Sequence, residues 1–367
     1  MRINKLLSTP SHQIETWLGN EVAEEISNAM RGYHADIAIP VANIPDSRVY
    51  VTRDGDFVGS MKGGHYNSLW NLMQDRAARS VRKTLLNTGF ASLSDLISEL
   101  TTGGKRQDFM INKVSGTSIA LVAQDLWNKG NVPAAGGVAT AAAAGHSPTN
   151  ATTGAIKFTT PGGSDTLHFL GGVITSDVAA RTLLMYDRFY AVNHTMTVDP
   201  QAVSGTPTRY QDTTAAGNFI TVFVTTVFPA ATPTYTITYV DDAGNTAEAA
   251  AAQTIVSASA VSRFPFAATV GAGWYIPLNS GDQGVRSITD LNLSAAMASG
   301  AADVVLGKPV AFLPTSVGAG IPIVVDGVNS PLFMHPVNGS ACLAFFDIMR
   351  SSTATTTYQA YLSFCSG

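Results

Sequence analysis

The sequence predicts a mainly-β protein, with an antiparallel β-sandwich or jelly-roll body preceded by a small helical module. The stretch from Phe219 to Val240 is built of β-branched and aromatic residues. In its second arm Tyr235, Ile237 and Tyr239 alternate with threonines, which is typical of a half-buried strand. After residue 114, roughly ten such short runs are separated by Gly, Pro, Asn and Asp, as in two-sheet β folds.

Besides the 219–240 stretch and the repeated short runs, an uneven distribution of charge along the chain supports this prediction. Charged residues make up only 13% of the 367 residues, about half the share of an ordinary soluble domain. The residues through Lys113 hold 13 of the 22 Lys+Arg and 12 of the 26 Asp+Glu. This shift predicts a docking module over residues 1–88 and a β-sandwich body over 89–367, with room for two sub-domains and a low-complexity loop over 131–153.

The module begins with a predicted amphipathic helix that ends at Gly32. Trp17, Leu18 and Val22 lie on its apolar stripe, which continues at helical spacing to Met30. Residues 35–60 are predicted to be extended, with a turn at Asp54-Gly55.

A second helix is predicted over residues 66–87, and its basic residues lie off the apolar stripe. Arg76, Arg79 and Arg82 form this cluster, together with Lys83. Contact with nucleic acid or an acidic partner is one interpretation. A solvated surface near a helix C-terminus, where cations are favoured, is the other and the preferred one. We expect partner contacts in this module at the following residues: Trp17, Leu18, Val22, Arg76, Arg79 and Arg82.

The body is predicted to open with a short third helix, capped by Ser92 with Asp95 at its third position and closed at Thr102-Gly-Gly104. Residues 133–145 are almost entirely alanine and glycine, and we expect them to lie on the surface. Further strands are predicted at Ala155–Phe158, Thr166–Gly171, Thr182–Tyr190, Thr254–Ser257, Ala272–Pro277, Val285–Leu293, Val304–Leu306 and Ile321–Val325.

Two antiparallel hairpins are predicted. The first joins the two arms of the 219–240 stretch across Pro229–Pro233. The second joins Cys342–Arg350 to Tyr358–Cys365, in a register that places the two cysteines opposite each other. That geometry allows a disulfide, but a cytosolic origin favours two buried free thiols.

The sequence contains no pattern that indicates catalysis, a metal site or a cofactor. The seven histidines are scattered, and HExxH, GxSxG, Walker and GxGxxG motifs are absent. Asp187 and Arg188 suggest a buried salt bridge that links the sheets. The net charge of −4 argues against general nucleic-acid binding. We find neither a signal-peptide core nor an apolar run that could span a membrane.

Several segments, taken in order, resemble a known protein family. They are Gly89–Ile97, Asp125–Asn128 with the Ala/Gly loop, Thr153–Phe158, Leu184–Arg188, Thr206–Tyr210, Gly281–Ser287 and Ala341–Ala344. In this order they resemble a widespread group of tailed-bacteriophage virion proteins encoded among head and tail genes. The resemblance covers about residues 89–367. It implies a non-enzymatic structural part of a virion that is assembled in the bacterial cytoplasm.

The resemblance leaves the role within the virion open. The preferred interpretation is a head decoration or minor capsid protein, which contacts copies of itself and the major capsid protein through the first helix and the Ala/Gly loop. The major capsid protein itself is an alternative. A host-binding protein of the tail, baseplate or fibre is another, in which Trp274, Tyr275 and Tyr210 stack on sugars. A polysaccharide-degrading enzyme is disfavoured because paired acids are missing.

Overall fold

The computed structural model describes residues 39–40, 48–51, 57–61, 64–65, 90, 93–101, 104–116, 122–139, 144–163, 165–266, 273–316, 318–327, 336–350 and 355–367. The chain separates into two compact units, Met1–Lys83 and Thr84–Gly367. The boundary predicted after residue 88 lies a little further along the chain.

The described residues of the first unit form four short antiparallel strands. These are β1 (Ile39–Pro40), β2 (Arg48–Val51), β3 (Phe57–Met61) and β4 (Gly64–His65), which pair in sequence order. Val51 pairs with Phe57 on either side of the predicted Asp54-Gly55 turn. The described residues of the segment predicted to be extended are therefore in strands, whereas the turn itself lies outside the described residues. The helices predicted over residues 14–30 and 66–87 lie outside the described residues.

The second unit is the β-rich body. It contains one α-helix, α1 (Leu93–Thr101), and a 3-10 turn at Thr213–Ala215 among the described residues. Its strands are β5 (Arg106–Val114), β6 (Gln124–Asp125), β7 (Asn131–Val132), β8 (Leu167–Ser176), β9 (Arg181–Thr195), β10 (Gln201–Ala202), β11 (Phe219–Thr226), β12 (Thr234–Asp241), β13 (Glu248–Ala249), β14 (Gln253–Thr254), β15 (Val285–Leu293), β16 (Ala301–Pro314), β17 (Ile323–Asp326), β18 (Pro336–Val337), β19 (Leu343–Arg350) and β20 (Thr357–Ser366).

The strands of the body form three antiparallel sheets. The central sheet has the order β11-β16-β9-β19-β6. One outer sheet has the order β10-β15-β12-β13, with β14 also paired to β12. The other has the order β17-β8-β20-β5-β7, with β18 paired to β8. The predicted mainly-β, antiparallel fold class is therefore confirmed.

The central sheet is covered on both faces, because its strands are apolar on both sides. Leu184 and Tyr186 of β9 belong to one hydrophobic core, which also contains residues of β12 and β15. Leu183 and Met185 belong to a second core, shared with β8 and β20. The continuous run Leu183-Leu-Met-Tyr186 fits this position, since a strand buried on both faces does not alternate between apolar and polar residues.

Both predicted hairpins are wrong, although all four of their strands exist. β11 pairs with β16 in the central sheet, whereas β12 pairs with β15 in an outer sheet. The burial patterns explain this separation. From Phe219 to Val224, β11 is buried on both faces, whereas β12 alternates between buried and less buried residues. The break at Pro229–Pro233 therefore carries the chain from one sheet to another.

The second predicted hairpin fails in the same way. β19 pairs with β9 in the central sheet, and β20 pairs with β5 and β8 in an outer one. Cys365 lies opposite Arg106 and His168, not opposite Cys342. Both cysteines are buried free thiols, as the sequence favoured.

Of the local predictions, the short helix is confirmed and the surface loop is only partly right. In the Ala/Gly loop, Gly136 donates its N–H to the carbonyl of Trp127 and packs under the indole ring. Ala139 is buried in the first core. A backbone of small residues can approach the Trp127 ring closely, which holds this loop against the body.

Two predicted strands are wrong, several two-residue strands were not predicted, and one long strand was missed. Residues 155–158 and 273–277 form no strand, although Ile276 makes an isolated bridge to Ile220. The missed strand is β5, in which charged Arg106, Asp108 and Lys113 obscure the alternation.

Candidate functional site

Several fully buried charges lie in the central sheet. The guanidinium of Arg188 on β9 is 2.8 Å from the carboxylate of Asp303 on β16 and 3.8 Å from that of Asp125 on β6. It also lies 5.1 Å from the ring centre of Trp127. Burial raises the pKa of Asp125 to about 6, and the nearby Arg188 opposes this shift. These charges are closed off from solvent, so the cluster belongs to the interior of the sheet and does not form a surface site.

A second buried pair holds a loop against the same sheet. Asp187 accepts two hydrogen bonds from the guanidinium of Arg209, at 2.9 and 3.1 Å, and one from the hydroxyl of Tyr210, at 3.0 Å. It also accepts the backbone N–H of Cys342. A buried salt bridge at Asp187 and Arg188 is thus confirmed. Neither ion pair links two sheets. Arg188 pairs with Asp303 within the central sheet, and Asp187 pairs with Arg209, which lies in a loop.

One surface cleft, which we call the lysine cleft, has a volume of about 900 Å³. The Lys308 ammonium group donates to the carbonyls of Thr214 and Ala216 and lies 5.5 Å from the ring centre of Tyr210. Burial lowers the pKa of Lys308. Because two of its three N–H donors bind these carbonyls, this lysine holds the 3-10 turn against β16.

A second cleft, of about 450 Å³, is lined by aromatic side chains, and we call it the aromatic cleft. Trp274 and Tyr275 form its wall together with Phe219. Its lining residues are Gly217, Asn218, Phe219, Trp274, Tyr275, Ile276, Pro277, Leu278, Asn279, Asp282, Gln283 and Pro309. The two clefts are neighbours, since Ala216 and Lys308 line the first and the next residues in the chain line the second.

The β17-β8-β20-β5-β7 sheet carries exposed apolar side chains on its outer face. Met110 of β5 pairs with Tyr361 of β20. Tyr361 in turn pairs with Val173 of β8, which pairs with Val324 of β17. Their exposed fractions are 75%, 44%, 39% and 74% in this order. These four residues form one line across four neighbouring strands, which we call the apolar row.

Polar residues flank the apolar row on both sides. On one side, two residues away from Met110 and Tyr361, Asp108 of β5 pairs with Ser363 of β20. The Ser363 hydroxyl donates a hydrogen bond to the Asp108 carboxylate at 2.6 Å. On the other side Asn112 pairs with Gln359. An apolar centre with a polar rim is the usual composition of a protein–protein interface.

The residues predicted to bind partners are not placed by the structure. Trp17, Leu18, Val22, Arg76, Arg79 and Arg82 all lie outside the described residues. The three aromatic residues considered for sugar stacking divide between the two clefts. Trp274 and Tyr275 line the aromatic cleft, whereas Tyr210 lines the lysine cleft.

Sequence reasoning missed the apolar row entirely. Each of its members is an isolated apolar residue within a different strand. Only the register of four strands, distant in sequence, brings them into line. The polar–apolar alternation of β20, with Gln359 and Tyr361 on the exposed face, is the one local signal that could have indicated part of it.

Among the described residues, no group of three or more His, Cys, Asp or Glu side chains is placed to hold a metal ion. In the same part of the chain, no helix is both long and apolar enough to cross a membrane. The His168 side chain is fully buried, and burial lowers its pKa to about 4. It packs 5.3 Å from the ring of Phe90, which is a core position.

Comparisons with known proteins yield little. No protein-family model matches the chain, and no curated protein matches it significantly. Among solved structures, a weak likeness is found to the VP2 subviral particle of infectious bursal disease virus, with 8% identity and a TM-score of 0.14. It covers 74% of this chain and 85% of that one. A likeness at this level supports no conclusion about the fold or the function.

Proposed function

We propose that this chain is a non-enzymatic structural protein of a bacteriophage virion, used in many copies as a head decoration or minor capsid protein. The observation that carries the proposal is the apolar row with its polar borders. A protein that acts alone rarely exposes a line of large apolar side chains across four strands. Assembly with a neighbouring subunit would remove these side chains from water.

The size of the row sets a requirement on the partner. A stable interface buries about 800 Å² on each side, which is more than four side chains can supply. The polar borders at Asp108–Ser363 and Asn112–Gln359 must therefore take part. We infer that the partner is a subunit of the virion shell, which presents an apolar ridge between polar groups.

The rest of the body suits this role, because it is built to be rigid. The central sheet has a hydrophobic core on each face and buried ion pairs within it. A rigid body loses less conformational entropy on binding than a flexible one. The low charge content of 13% also suits a surface that packs against neighbours.

The first test is the copy number of the chain in purified virions, measured by quantitative mass spectrometry against the major capsid protein. A decoration protein is expected in many symmetric copies, at about one per shell subunit. A count of a few to a few dozen would overturn the head role and favour a vertex, neck or tail position.

The second test places a charge in the apolar row. We expect Val324→Arg and Met110→Arg each to lower incorporation into particles by about tenfold, because a buried unpaired charge opposes association. The matched control is Val227→Arg, since Val227 is also exposed but follows β11, outside this sheet. Equal incorporation of all three variants, each with the circular dichroism of the unchanged protein, would remove the row from the interface.

A further inference from the structure

The wall of the aromatic cleft consists of two rings fixed in place by the core. The ring centres of Trp274 and Tyr275 lie 4.7 Å apart in a T-shaped arrangement. Trp274 packs in turn against Phe219 at 5.2 Å and Phe346 at 5.6 Å. Both Trp274 and Tyr275 remain half-buried while they line the cleft. The cleft therefore offers ring surface that loses little entropy when a ligand contacts it.

Polar groups lie around these rings, and one of them is held rigidly. The carboxylate of Asp282 accepts a hydrogen bond from the hydroxyl of Tyr239. That hydroxyl also accepts the backbone N–H of Asn279 at 2.7 Å. The Tyr239 side chain thus orients one carboxylate oxygen of Asp282 and leaves the other for a ligand.

Two amide side chains of the cleft have unused hydrogen-bonding capacity. Asn218 is only 3% exposed, and its Nδ2 donates to the carbonyl of Val285. Its Oδ1 has no partner within the described part of the chain. The exposed side chain of Gln283 makes no hydrogen bond to any described residue. An acceptor left unpaired in a buried position is costly, so a donor from a bound molecule would stabilise the site.

The chemistry of the lining selects the class of ligand. The volume of about 450 Å³ falls within the common range for small-molecule sites. The lining contains one acidic side chain and no lysine or arginine, so it does not attract an anion. A sugar ring has an apolar C–H face, which fits an aromatic ring, and hydroxyl groups, which fit a carboxylate and amides.

We propose that the aromatic cleft binds a neutral sugar unit of a polysaccharide, stacked on Tyr275 and hydrogen-bonded by Asp282 and Gln283. This inference is independent of the proposed place in the virion. A shell protein and a tail protein could each carry such a site. Copy number tests the first proposal, and sugar binding tests this one.

The experiment is a screen of the full chain against an array of neutral and acidic glycans, followed by calorimetry with the best neutral oligosaccharide. Tyr275→Ala is expected to weaken binding by about tenfold, the loss of one aromatic contact. Gln283→Ala is expected to weaken it by roughly fivefold, the loss of one hydrogen bond. Trp274 is left unchanged, because it is part of the core packing.

The matched controls are Tyr361→Ala and Gln359→Ala, which remove the same side-chain types from exposed positions on β20. Both controls should bind as the unchanged protein does. The inference is overturned if no glycan binds, if only acidic glycans bind, or if Tyr275→Ala and Tyr361→Ala bind equally well. Binding of proline-rich peptides in place of sugars, with the same dependence on Tyr275, would assign the cleft to a peptide instead.

Discussion

Arg188 is a fully buried cation in the central sheet. Its guanidinium compensates the carboxylates of Asp125 and Asp303, and all three side chains are buried. Asp303 also accepts the backbone N–H of Ala139. One ion cluster thus joins β9, β16, β6 and the Ala/Gly loop.

We expect Arg188→Met to destabilise the protein by about 3–5 kcal/mol, because it leaves buried carboxylates without a cation. Chemical denaturation, followed by circular dichroism, measures the change. The control is Arg106→Met, which removes an exposed ion pair with Asp108 and should cost at most about 1 kcal/mol. If both variants lose the same stability, the buried cluster contributes nothing beyond a surface pair.

The ion pairs of β9 join residues that are adjacent in sequence to partners from other segments of the chain. The sequence places Asp187 next to Arg188 and suggests a buried salt bridge there. It does not indicate that the two residues choose different partners. Asp303 and Arg209 come from distant segments, and only the folded chain brings them to opposite sides of β9.

At the scale of elements, the contact between β8 and β20 depends on two adjacent glycines. Gly171 has a φ of +129°, which side-chain-bearing residues rarely adopt. A Cβ atom on Gly172 would lie 2.2 Å from the carbonyl oxygen of Tyr361. The register of the two strands shifts beside this pair, between Ser363 and Phe364. The glycines therefore permit a bulge in which the two backbones approach closely.

We expect Gly172→Ala to lower stability by about 1–3 kcal/mol, because the backbone must move to accommodate the methyl group. Gly162→Ala is the matched control, since nothing lies within 4 Å of its added Cβ and its φ is not positive. It should change stability by less than about 0.5 kcal/mol. Thermal unfolding of both variants measures the difference, and equal melting temperatures would contradict the bulge argument.

The elements also show where prediction from sequence stops. The bounds of β15 agree fully with the predicted Val285–Leu293, because alternation and flanking turns are local signals. The pairing of β11 with β12 was wrong, because adjacency in sequence is only a tendency. The absence of alternation from Phe219 to Val224 could have indicated a central strand.

At the scale of the whole molecule, the two cores share the central sheet. Cys342 belongs to the core on one face of it, and Cys365 lies in β20 of the outer sheet that packs on the other face. Burial raises the pKa of both thiols, that of Cys365 to about 11. Both are therefore protonated and shielded in the native protein. They report on the opening of two different layers.

We expect both thiols to react with a thiol reagent only on global unfolding, and at the same denaturant concentration, because the shared sheet couples the layers. Single-cysteine variants, Cys342→Ala and Cys365→Ala, separate the two signals by mass spectrometry. Earlier reaction of Cys365 alone would mean that the β20 sheet opens independently. Rapid reaction of both thiols in native buffer would contradict their burial.

The sequence by itself determined the fold class, the short helix and the positions of most long strands. These depend on residue type, period and turn residues, which act over a few neighbouring positions. The tertiary structure alone decided which strands share a sheet, which side chains form the apolar row and which residues line the aromatic cleft. Those features depend on contacts between segments that are distant in sequence, such as the pairing of Met110 with Tyr361. Such contacts form only when burial of several strands together offsets the entropy of closing the chain between them.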